Sequence, residues 1–546
     1  MNLKPSLLDT PVGNIESPSD LKACLNAHGL YNSFQFVLRL SPEVHRKIEE
    51  LPKGIITDAV DFDNLRAYST YLHETIHWWQ HSGSTTGFLL SLSYPGQAHA
   101  NYNLLKQLIT RIGPKKSLLK FVEASNAPDG PHSPTGQGNI VVNNHFDMEF
   151  FRILTTNPGM IRQAVEHPLF DCIGHSYRIA YGNIVLILAS LFDNDFRFLP
   201  DPRMWSDVFR RLREQKVRGY YYGSDVDVVP MGAHHVFEGQ ARFGQLQFLY
   251  FCSGGKVTWD DVKAMGMLDG IYGEAFHQFL RLAELEWPTT IDDPIVALFL
   301  LICDISINPS AGFPMPLVTP RTFIPDVDPG FRFSFLCRMV AKKRPDTARL
   351  IRKYSRSEYA EVSDALCAPM MVDSPLAIAS TVYSWVAKSE EIRMLMDEHT
   401  TFGYGPTNLP VRMLLAHFIG YCRDKVARPE FFCWPGAWTT GCRATAEIAD
   451  LFERHSAPFL DRPDDSGIYP RLMVGKEESV VQASFDAFYA MNVTYDLTRQ
   501  WVAMPGPFEY DYRWLSSTDK PEGMKTFANM HFEKIYGVNP DDFEIL

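Results

Sequence analysis

The sequence lacks any apolar run long enough to cross a lipid bilayer. Its most apolar stretches, residues 184–192 and 295–305, are shorter than the roughly 20 residues that a membrane-spanning helix needs, so they predict buried helices. The amino terminus, which begins Met1-Asn2-Leu3-Lys4, contains no apolar segment of signal-peptide length. These absences predict a cytoplasmic protein that has no membrane partner.

Paired cysteine motifs and an excess of basic charge are also missing. The nine cysteines are scattered and form no C-x-x-C pair, which is typical of reduced thiols in a cytosolic protein. Lysine and arginine number 52 against 64 acidic residues, and the formal net charge is −12. An acidic chain of this kind argues against a nucleic-acid or anionic-membrane partner, because both carry negative charge.

The sequence does contain one H-E-x-x-H motif, which is formed by His73, Glu74 and His77. Four residues advance a helix by about 400°, so both imidazoles point from one face and can share a single metal ion. Two histidines suit zinc. Glu74 lies beside them, where a carboxylate can accept a proton from a water that the metal activates.

The residues around the motif predict a buried helix. Apolar side chains recur at steps of three and four, as expected for a stripe that faces a core. These residues are Leu65, Tyr68, Leu72, Ile76 and Trp79. Asp63 is predicted to cap the start of this helix, and Gly83 is predicted to lie just beyond its end.

A catalytic zinc site needs three protein ligands and one open position, so the two histidines require a partner. His81 is excluded by reach, because it lies eight residues from His73, about 12 Å of helical rise. No acidic residue occurs between His77 and Glu123, so a carboxylate ligand must follow a long insertion.

Two segments together resemble the zincin metallopeptidases, and specifically the gluzincins. The H-E-x-x-H segment is similar to the zincin active-site helix. Phe237-Glu238-Gly239-x-Ala241 resembles the N-E-G-x-A pattern around the third ligand of gluzincin aminopeptidases. The resemblance implies a zincin-like core that holds Zn²⁺ through His73, His77 and Glu238. Its glycine and alanine would let two helices approach closely.

Other assignments of the third ligand remain open. The separation of 161 positions from His77 to Glu238 departs from the short spacing of the gluzincin families. Glu149, Glu123 and Glu166 are the alternatives, and Glu238 could instead form a surface pair with Arg242 one helical turn away. Zincins also carry a strand alongside the metal helix, and residues 34–40 alternate well enough to be that strand or an ordinary member of a sheet.

A developing oxyanion needs a hydrogen-bond donor near the metal. We assign this role to His235 and Tyr221, with alternatives in His234, Arg242, Tyr220 and Tyr222. Asp304 follows a very apolar stretch. It could orient a ligand imidazole, or it could cap or bond nearby backbone, as such aspartates do more often.

Three functional hypotheses follow. The first is a zinc-dependent peptidase that hydrolyses a peptide or protein substrate, with Glu74 as the general base. The second is a helical di-iron oxidoreductase built on two E-x-x-H motifs, Glu74/His77 and Glu274/His277, which would leave His73 without a role. The third is a catalytically silent zincin-fold protein that acts as a binding or sensor module.

The chain as a whole predicts a mainly α protein with a small β component. Its 546 residues, 45% of them hydrophobic, are enough for large cores in two to four domains. Residues 1–62 are predicted to form a mixed α/β segment and residues 63–308 the metal-binding core. Six prolines between Pro309 and Pro329 mark a boundary, and residues 330–546 are predicted to form a helical accessory domain.

Overall fold

A computed structural model of the chain describes residues 29–51, 61–125, 130–464, 467–516 and 520–546. These residues are mainly helical and include one four-stranded and one two-stranded sheet, which confirms the prediction of a mainly α protein with a small β component. Of the predicted segment 1–62, residues 1–28 and 52–60 lie outside the described residues, as does the amino-terminal stretch searched for a signal peptide.

Helices form both halves of the described chain. Up to Ser306 they are α1 (Pro42–Glu49), α2 (Phe62–Gly83), α3 (Thr85–Ser91), α4 (Ser93–Ile112), α5 (Leu118–Glu123), α6 (Pro134–Thr156), α7 (Ile161–Val165), α8 (Ile173–Phe192), α9 (Ser206–Glu214), α10 (Ala233–Cys252), α11 (Trp259–Ala264), α12 (Ile271–Ala283) and α13 (Pro294–Ser306). Beyond it they are α14 (Phe323–Val327), α15 (Pro329–Lys342), α16 (Arg356–Cys367), α17 (Pro375–Lys388), α18 (Glu390–Thr401), α19 (Leu409–Ala427), α20 (Pro429–Cys433), α21 (Pro435–Trp438), α22 (Ala446–Arg454), α23 (Glu478–Ala503) and α24 (Pro521–Tyr536). The strands are β1 (Gly29–Asn32), β2 (Val37–Leu40), β3 (Lys115–Lys116), β4 (Phe459–Asp461), β5 (Ile468–Pro470) and β6 (Glu544–Ile545).

The two apolar runs of the sequence fall in α8 and α13, and most of their side chains are buried. Among the described residues, no single helix has both the length and the apolar content to cross a membrane. One pair of helices, residues 356–370 and 375–388, meets the criteria of length and apolar content only when the two are counted together, and the chain bends by 96° between them.

The larger sheet has the strand order β1-β2-β4-β5, so β1 lies at its edge. β1 and β2 are antiparallel neighbours. The strand predicted over residues 34–40 is correct for Val37–Leu40 only. The preceding residues turn because the Asn32 side chain accepts hydrogen bonds from the backbone N–H groups of Phe34 and Gln35, at 3.0 and 2.8 Å.

Helix α2 carries the H-E-x-x-H motif and is buried along most of its length, as the apolar stripe predicts. Its N-cap is Asp61 and not the predicted Asp63, because the Asp61 carboxylate accepts from the Asp63 backbone N–H at 3.3 Å. Gly83 is the last helical residue and not the first beyond the end. It lies so close to α19 that a Cβ there would approach the Tyr421 ring to 2.4 Å.

Packing crosses both predicted domain boundaries. Strand β2 of the amino-terminal segment pairs in parallel with β4 of the carboxy-terminal region, through Leu38 and Leu460. The Trp78 ring of α2 contacts the His417 ring of α19 at 5.2 Å. The motif helix is therefore packed between elements from both ends of the chain.

Asp304, at the end of α13, is part of a buried structural network and not of a metal site. Its carboxylate accepts hydrogen bonds from the Tyr359 hydroxyl at 2.6 Å and the Lys425 ammonium at 2.6 Å. The Asn308 side chain donates a third at 3.1 Å. The expectation that Asp304 orients a ligand imidazole is therefore wrong.

We expect Lys425→Met to destabilise the fold by about 3–5 kcal/mol, because it leaves the Asp304 carboxylate buried without its ion-pair partner. Chemical denaturation measures this change. The exposed pair between Arg210 and Glu214 gives the control, and Arg210→Met should leave the midpoint unchanged within error. An unchanged midpoint for Lys425→Met would show that the buried ion pair does not support the fold.

Candidate metal centre

The candidate centre lies where helices α2 and α10 pack against each other. Gly244 permits the close approach, since a Cβ there would lie 2.8 Å from the Ile76 Cδ1 atom of α2. Gly239, to which the sequence assigned this role, faces the opposite way. A Cβ on Gly239 would meet Ala275 at 3.0 Å and Phe299 at 3.1 Å.

The structure brings the three predicted ligands together. His73 and His77 extend from successive turns of α2, and their Nε2 atoms are 3.1 Å apart. The Oε2 atom of Glu238, from α10, lies 3.5 Å from His73 Nε2 and 3.4 Å from His77 Nε2. All three residues are buried, with exposed fractions of 5%, 8% and 4%.

Ligand atoms 2.0–2.2 Å from a tetrahedral zinc lie about 3.3–3.6 Å from one another. Both separations from Glu238 Oε2 fall in this range, and the 3.1 Å between the two Nε2 atoms is slightly shorter. Glu238 Oε2 is buried, and its contacts with the two imidazole nitrogens, at 3.4 and 3.5 Å, are longer than ordinary hydrogen bonds. Two imidazole nitrogens and one carboxylate oxygen are also a donor set that zinc accepts.

Gln80 fixes the orientation of one ligand and links the two helices. The Nδ1 atom of His77 lies 2.8 Å from Gln80 Oε1, so it carries the proton and leaves Nε2 free to bind a metal. The Gln80 amide in turn donates to the Phe237 carbonyl and to Gln240 Oε1, both at 2.9 Å. Gln80 was not among the predicted site residues, although its position three residues after His77 placed it on the same face.

Glu74 lies between the metal ligands and the edge strand β1. The backbone N–H of Tyr31 donates to its carboxylate. Gly29 gives it room, because a Cβ there would lie 2.7 Å from Glu74 Cγ. Burial raises the pKa of Glu74 to about 7, which places its proton exchange in the neutral range that a general base requires.

The protonation states of the cluster suit metal binding in part. Burial lowers the pKa of His73 to about 3, so its imidazole is neutral. Burial also lowers the pKa of His77, but the nearby carboxylates of Glu238 and Glu74 outweigh it and raise that pKa to about 9. Conversely, burial raises the pKa of Glu238, but both histidines hold it well below its usual value. Metal binding would therefore displace a proton from His77.

Two cavities meet at His73 and Glu74. The wide cavity, about 1500 Å³ including its open mouth, is bordered by α1, α2 and α10. The narrow cavity, about 770 Å³, extends on the other side of the ligands toward α6. Tyr272, from α12, lines both, so it marks their junction.

Tyr272 and Arg242 are hydrogen-bond donors that line the wide cavity beside His73 and Glu74. The centres of the Tyr272 and His73 rings are 6.0 Å apart. The Arg242 guanidinium lies over the Tyr272 ring, with its carbon 4.0 Å from the ring centre. Arg242 was one of the predicted alternatives. Tyr272 was missed because it lies on a separate helix, and nothing in its own segment relates it to the motif.

The two preferred donors lie elsewhere. His235 caps α10 and contacts Glu274 at 3.2 Å, and it does not line either cavity. His234, its neighbour, does line the narrow cavity. Tyr221 lines neither cavity, and the adjacent Tyr220 donates its hydroxyl to the Pro320 carbonyl at 2.9 Å. The structure therefore corrects both assignments.

The alternative acidic ligands are also placed away from the histidines. Glu149 lies 3.7 Å from Arg499, while Glu123 and Glu166 form surface pairs with Lys120 and Arg162. Within the part of the chain that the structure describes, His73, His77 and Glu238 form the one group of three or more potential ligands.

The second E-x-x-H motif of the di-iron hypothesis does not reach this group. The Glu274 side chain is 56% exposed, and the His277 ring packs on Trp287 at 5.3 Å. His81 lines the narrow cavity but remains outside the three-ligand group.

Comparison with known proteins gives no match to a family model, a curated protein or a solved structure. The resemblance to zincins therefore rests on the two sequence segments around His73 and Glu238 alone. The function has to be argued from the chemistry of the site.

We expect the purified protein to bind about one zinc ion per chain, and His73→Ala or Glu238→Ala to lose it. Two remaining ligands do not hold zinc tightly. Metal analysis after dialysis measures the content. His81→Ala is the control, because it alters a histidine of the same cavity outside the cluster. Zinc that is kept by His73→Ala and lost by His81→Ala, or two irons per chain, would contradict this ligand set.

Gln80→Leu should weaken zinc affinity by about 10–100-fold without removing a ligand, since His77 would lose the acceptor that orients its ring. Competition with a chromogenic chelator measures the affinity. Gln97→Leu is a matched control, because Gln97 is also a buried glutamine bonded to a histidine, His145, outside the cluster. Equal zinc affinity in Gln80→Leu and the parent protein would assign Gln80 a packing role only.

Proposed function

We propose that this protein is a zinc-dependent metallopeptidase with a zincin-like core. The observation that carries the proposal is the convergence of His73, His77 and Glu238, with Glu74 beside them where two cavities meet. The H-E-x-x-H helix, a glutamate from a second helix and an adjacent edge strand are the parts that such a core requires.

The chemistry divides between the metal and the side chains around it. A zinc ion held by the three ligands would polarise the scissile carbonyl and lower the pKa of water. Glu74 would accept the proton of the attacking water and then deliver it to the leaving amine. Burial opposes the charged form of the Glu74 carboxylate and so raises its pKa, which favours uptake of a proton from the attacking water.

Tyr272 and Arg242 would stabilise the oxyanion that develops on the attacked carbonyl. Both line the wide cavity beside Glu74, and Arg242 Nε forms no hydrogen bond with the described residues. Stacking on the Tyr272 ring holds the Arg242 guanidinium in place before substrate binds. Donors that are already oriented stabilise developing charge most effectively.

The edge strand β1 favours a peptide as the substrate. It pairs with β2 on one side, and on the other side its Tyr31 N–H is directed at Glu74. Gly29, Leu30 and Tyr31 line the narrow cavity. An extended peptide can add to such an edge through main-chain hydrogen bonds, which would place its backbone across the metal ligands.

Glu74→Gln tests the mechanism, because the amide keeps the size of the side chain but cannot accept a proton at neutral pH. Zinc content should persist, and turnover of a quenched fluorescent peptide library should fall by about two or more orders of magnitude. Glu274→Gln, an exposed glutamate outside the cavities, is the control and should cleave at the parent rate.

Two results would overturn the mechanism. Wild-type turnover by a zinc-loaded Glu74→Gln protein would remove Glu74 as the base. Absence of cleavage by the zinc-loaded parent protein across the library would favour the catalytically silent binding protein.

A further inference from the structure

The narrow cavity beside the metal centre contains a buried arginine without an acidic partner. Arg152, on α6, is 5% exposed and lines this cavity together with the metal ligands. Its Nη1 atom donates to the Leu90 carbonyl at 2.9 Å and to Ser93 Oγ at 2.7 Å. Across the described ranges, no carboxylate pairs with Arg152, and its Nε atom has no hydrogen-bond partner.

A purely structural arginine in the same protein looks different. Arg332 is also buried, but all three of its guanidinium nitrogens donate to backbone carbonyls, among them those of Ile305, Ser306 and Asp326. Arg152 uses one nitrogen in this way and leaves part of its donor fork unused. The guanidinium also lies 4.6 Å from the centre of the Tyr94 ring, which stabilises the cation but gives Nε no acceptor. A carboxylate of a ligand would supply that acceptor.

Two histidines that line the narrow cavity also have a ring nitrogen without a hydrogen-bond partner among the described residues. His81 Nδ1 and His234 Nε2 are buried and bond to no described residue, and both side chains line the narrow cavity. Burial, together with the charges of His77, Arg152 and His234, lowers the pKa of His81 to about 3. Among the described residues that line this cavity, Glu74 and Glu238 are the only acids, and both belong to the candidate metal centre.

The wide cavity also has basic residues on its wall. Two of them are offset by acids, because Lys47 lies 3.0 Å from Glu43 and Arg66 lies 3.8 Å from Asp63. The third, Arg242, lies over the Tyr272 ring and is the donor assigned above to the developing oxyanion. Arg152 is therefore the arginine of the two cavities that is left to bind an anionic group of the substrate.

We propose that the narrow cavity binds a carboxylate of the peptide substrate, with Arg152 as the anchor and His81 and His234 as flanking donors. This inference rests on the proposed peptidase function and specifies its substrate class. A guanidinium fork matches a carboxylate through two parallel hydrogen bonds. The carboxylate is either the free carboxy terminus of the peptide or the side chain of an aspartate or glutamate next to the scissile bond.

Matched peptide pairs test the pocket on the zinc-loaded full-length protein. One pair differs only in a carboxy-terminal carboxylate or amide, and a second, amidated pair differs only in glutamate or glutamine. We expect kcat/KM to favour the carboxylate in at least one pair by about tenfold or more, since a charge-assisted hydrogen bond is lost with the amide. The pair that shows the preference identifies the source of the carboxylate.

Arg152→Gln should reduce that preference to a ratio of about one. A role confined to packing would instead lower both members of a pair equally and leave their ratio as in the parent. Arg178→Gln is the matched control, because Arg178 is a half-buried arginine of α8 that lines neither cavity at the metal centre. In Arg178→Gln the ratio of kcat/KM between the carboxylate and amide peptides should equal that of the parent. An unchanged ratio in Arg152→Gln would show that Arg152 does not bind the carboxylate.

Binding measurements separate this inference from the proposed function. Zinc-loaded Glu74→Gln protein is titrated with the same peptides by calorimetry, which requires no turnover. A carboxylate preference in binding without cleavage by the parent would support the pocket and overturn the peptidase. Cleavage without any preference would overturn the pocket alone. If Arg152→Gln does not fold, equal affinity of the Glu74→Gln protein for both members of each pair overturns the pocket.

Discussion

The contact between α2 and α10 is the constraint on which the rest of the site depends. The three ligand atoms converge where these helices pack, and the absence of a side chain at Gly244 leaves room for Ile76 of α2 at this contact. Gln80 then links the helices by bonding to His77 on its own helix and to the backbone of α10. A rigid pair of helices holds a ligand set more accurately than loops do, so the metal geometry is built before any ion binds.

The sequence could predict those residues of the site that are spaced by helical turns within one segment. His73, Glu74 and His77 lie on one helix, and their relative placement follows from 3.6 residues per turn. Glu238 was proposed from the residues around it, although it lies 161 positions after His77. Its neighbour Gly239 was assigned the wrong contact, because a sequence does not show which face of a helix meets which partner.

Residues that reach the site from other elements were not predictable in this way. Tyr272 and Arg152 lie on α12 and α6, and neither helix carries a pattern that relates it to the motif. The donors that were preferred, His235 and Tyr221, were chosen for chemistry and proximity in sequence. Helix α10 turns His234 and not His235 toward the cavity, and Tyr221 belongs to a segment that packs elsewhere.

The sheet that supports Glu74 joins two distant parts of the chain. Strand β1 is held by β2, and β2 is held in turn by β4, through Leu38 and Leu460. The Asp461 carboxylate also accepts from the Leu40 backbone N–H and contacts His45 at 2.8 Å. A nascent chain on the ribosome has the entire H-E-x-x-H helix long before β4 is synthesised. The four-stranded sheet beside Glu74 is therefore completed only after β4 has been synthesised, because the pairing of β2 with β4 joins residues that are far apart in the sequence.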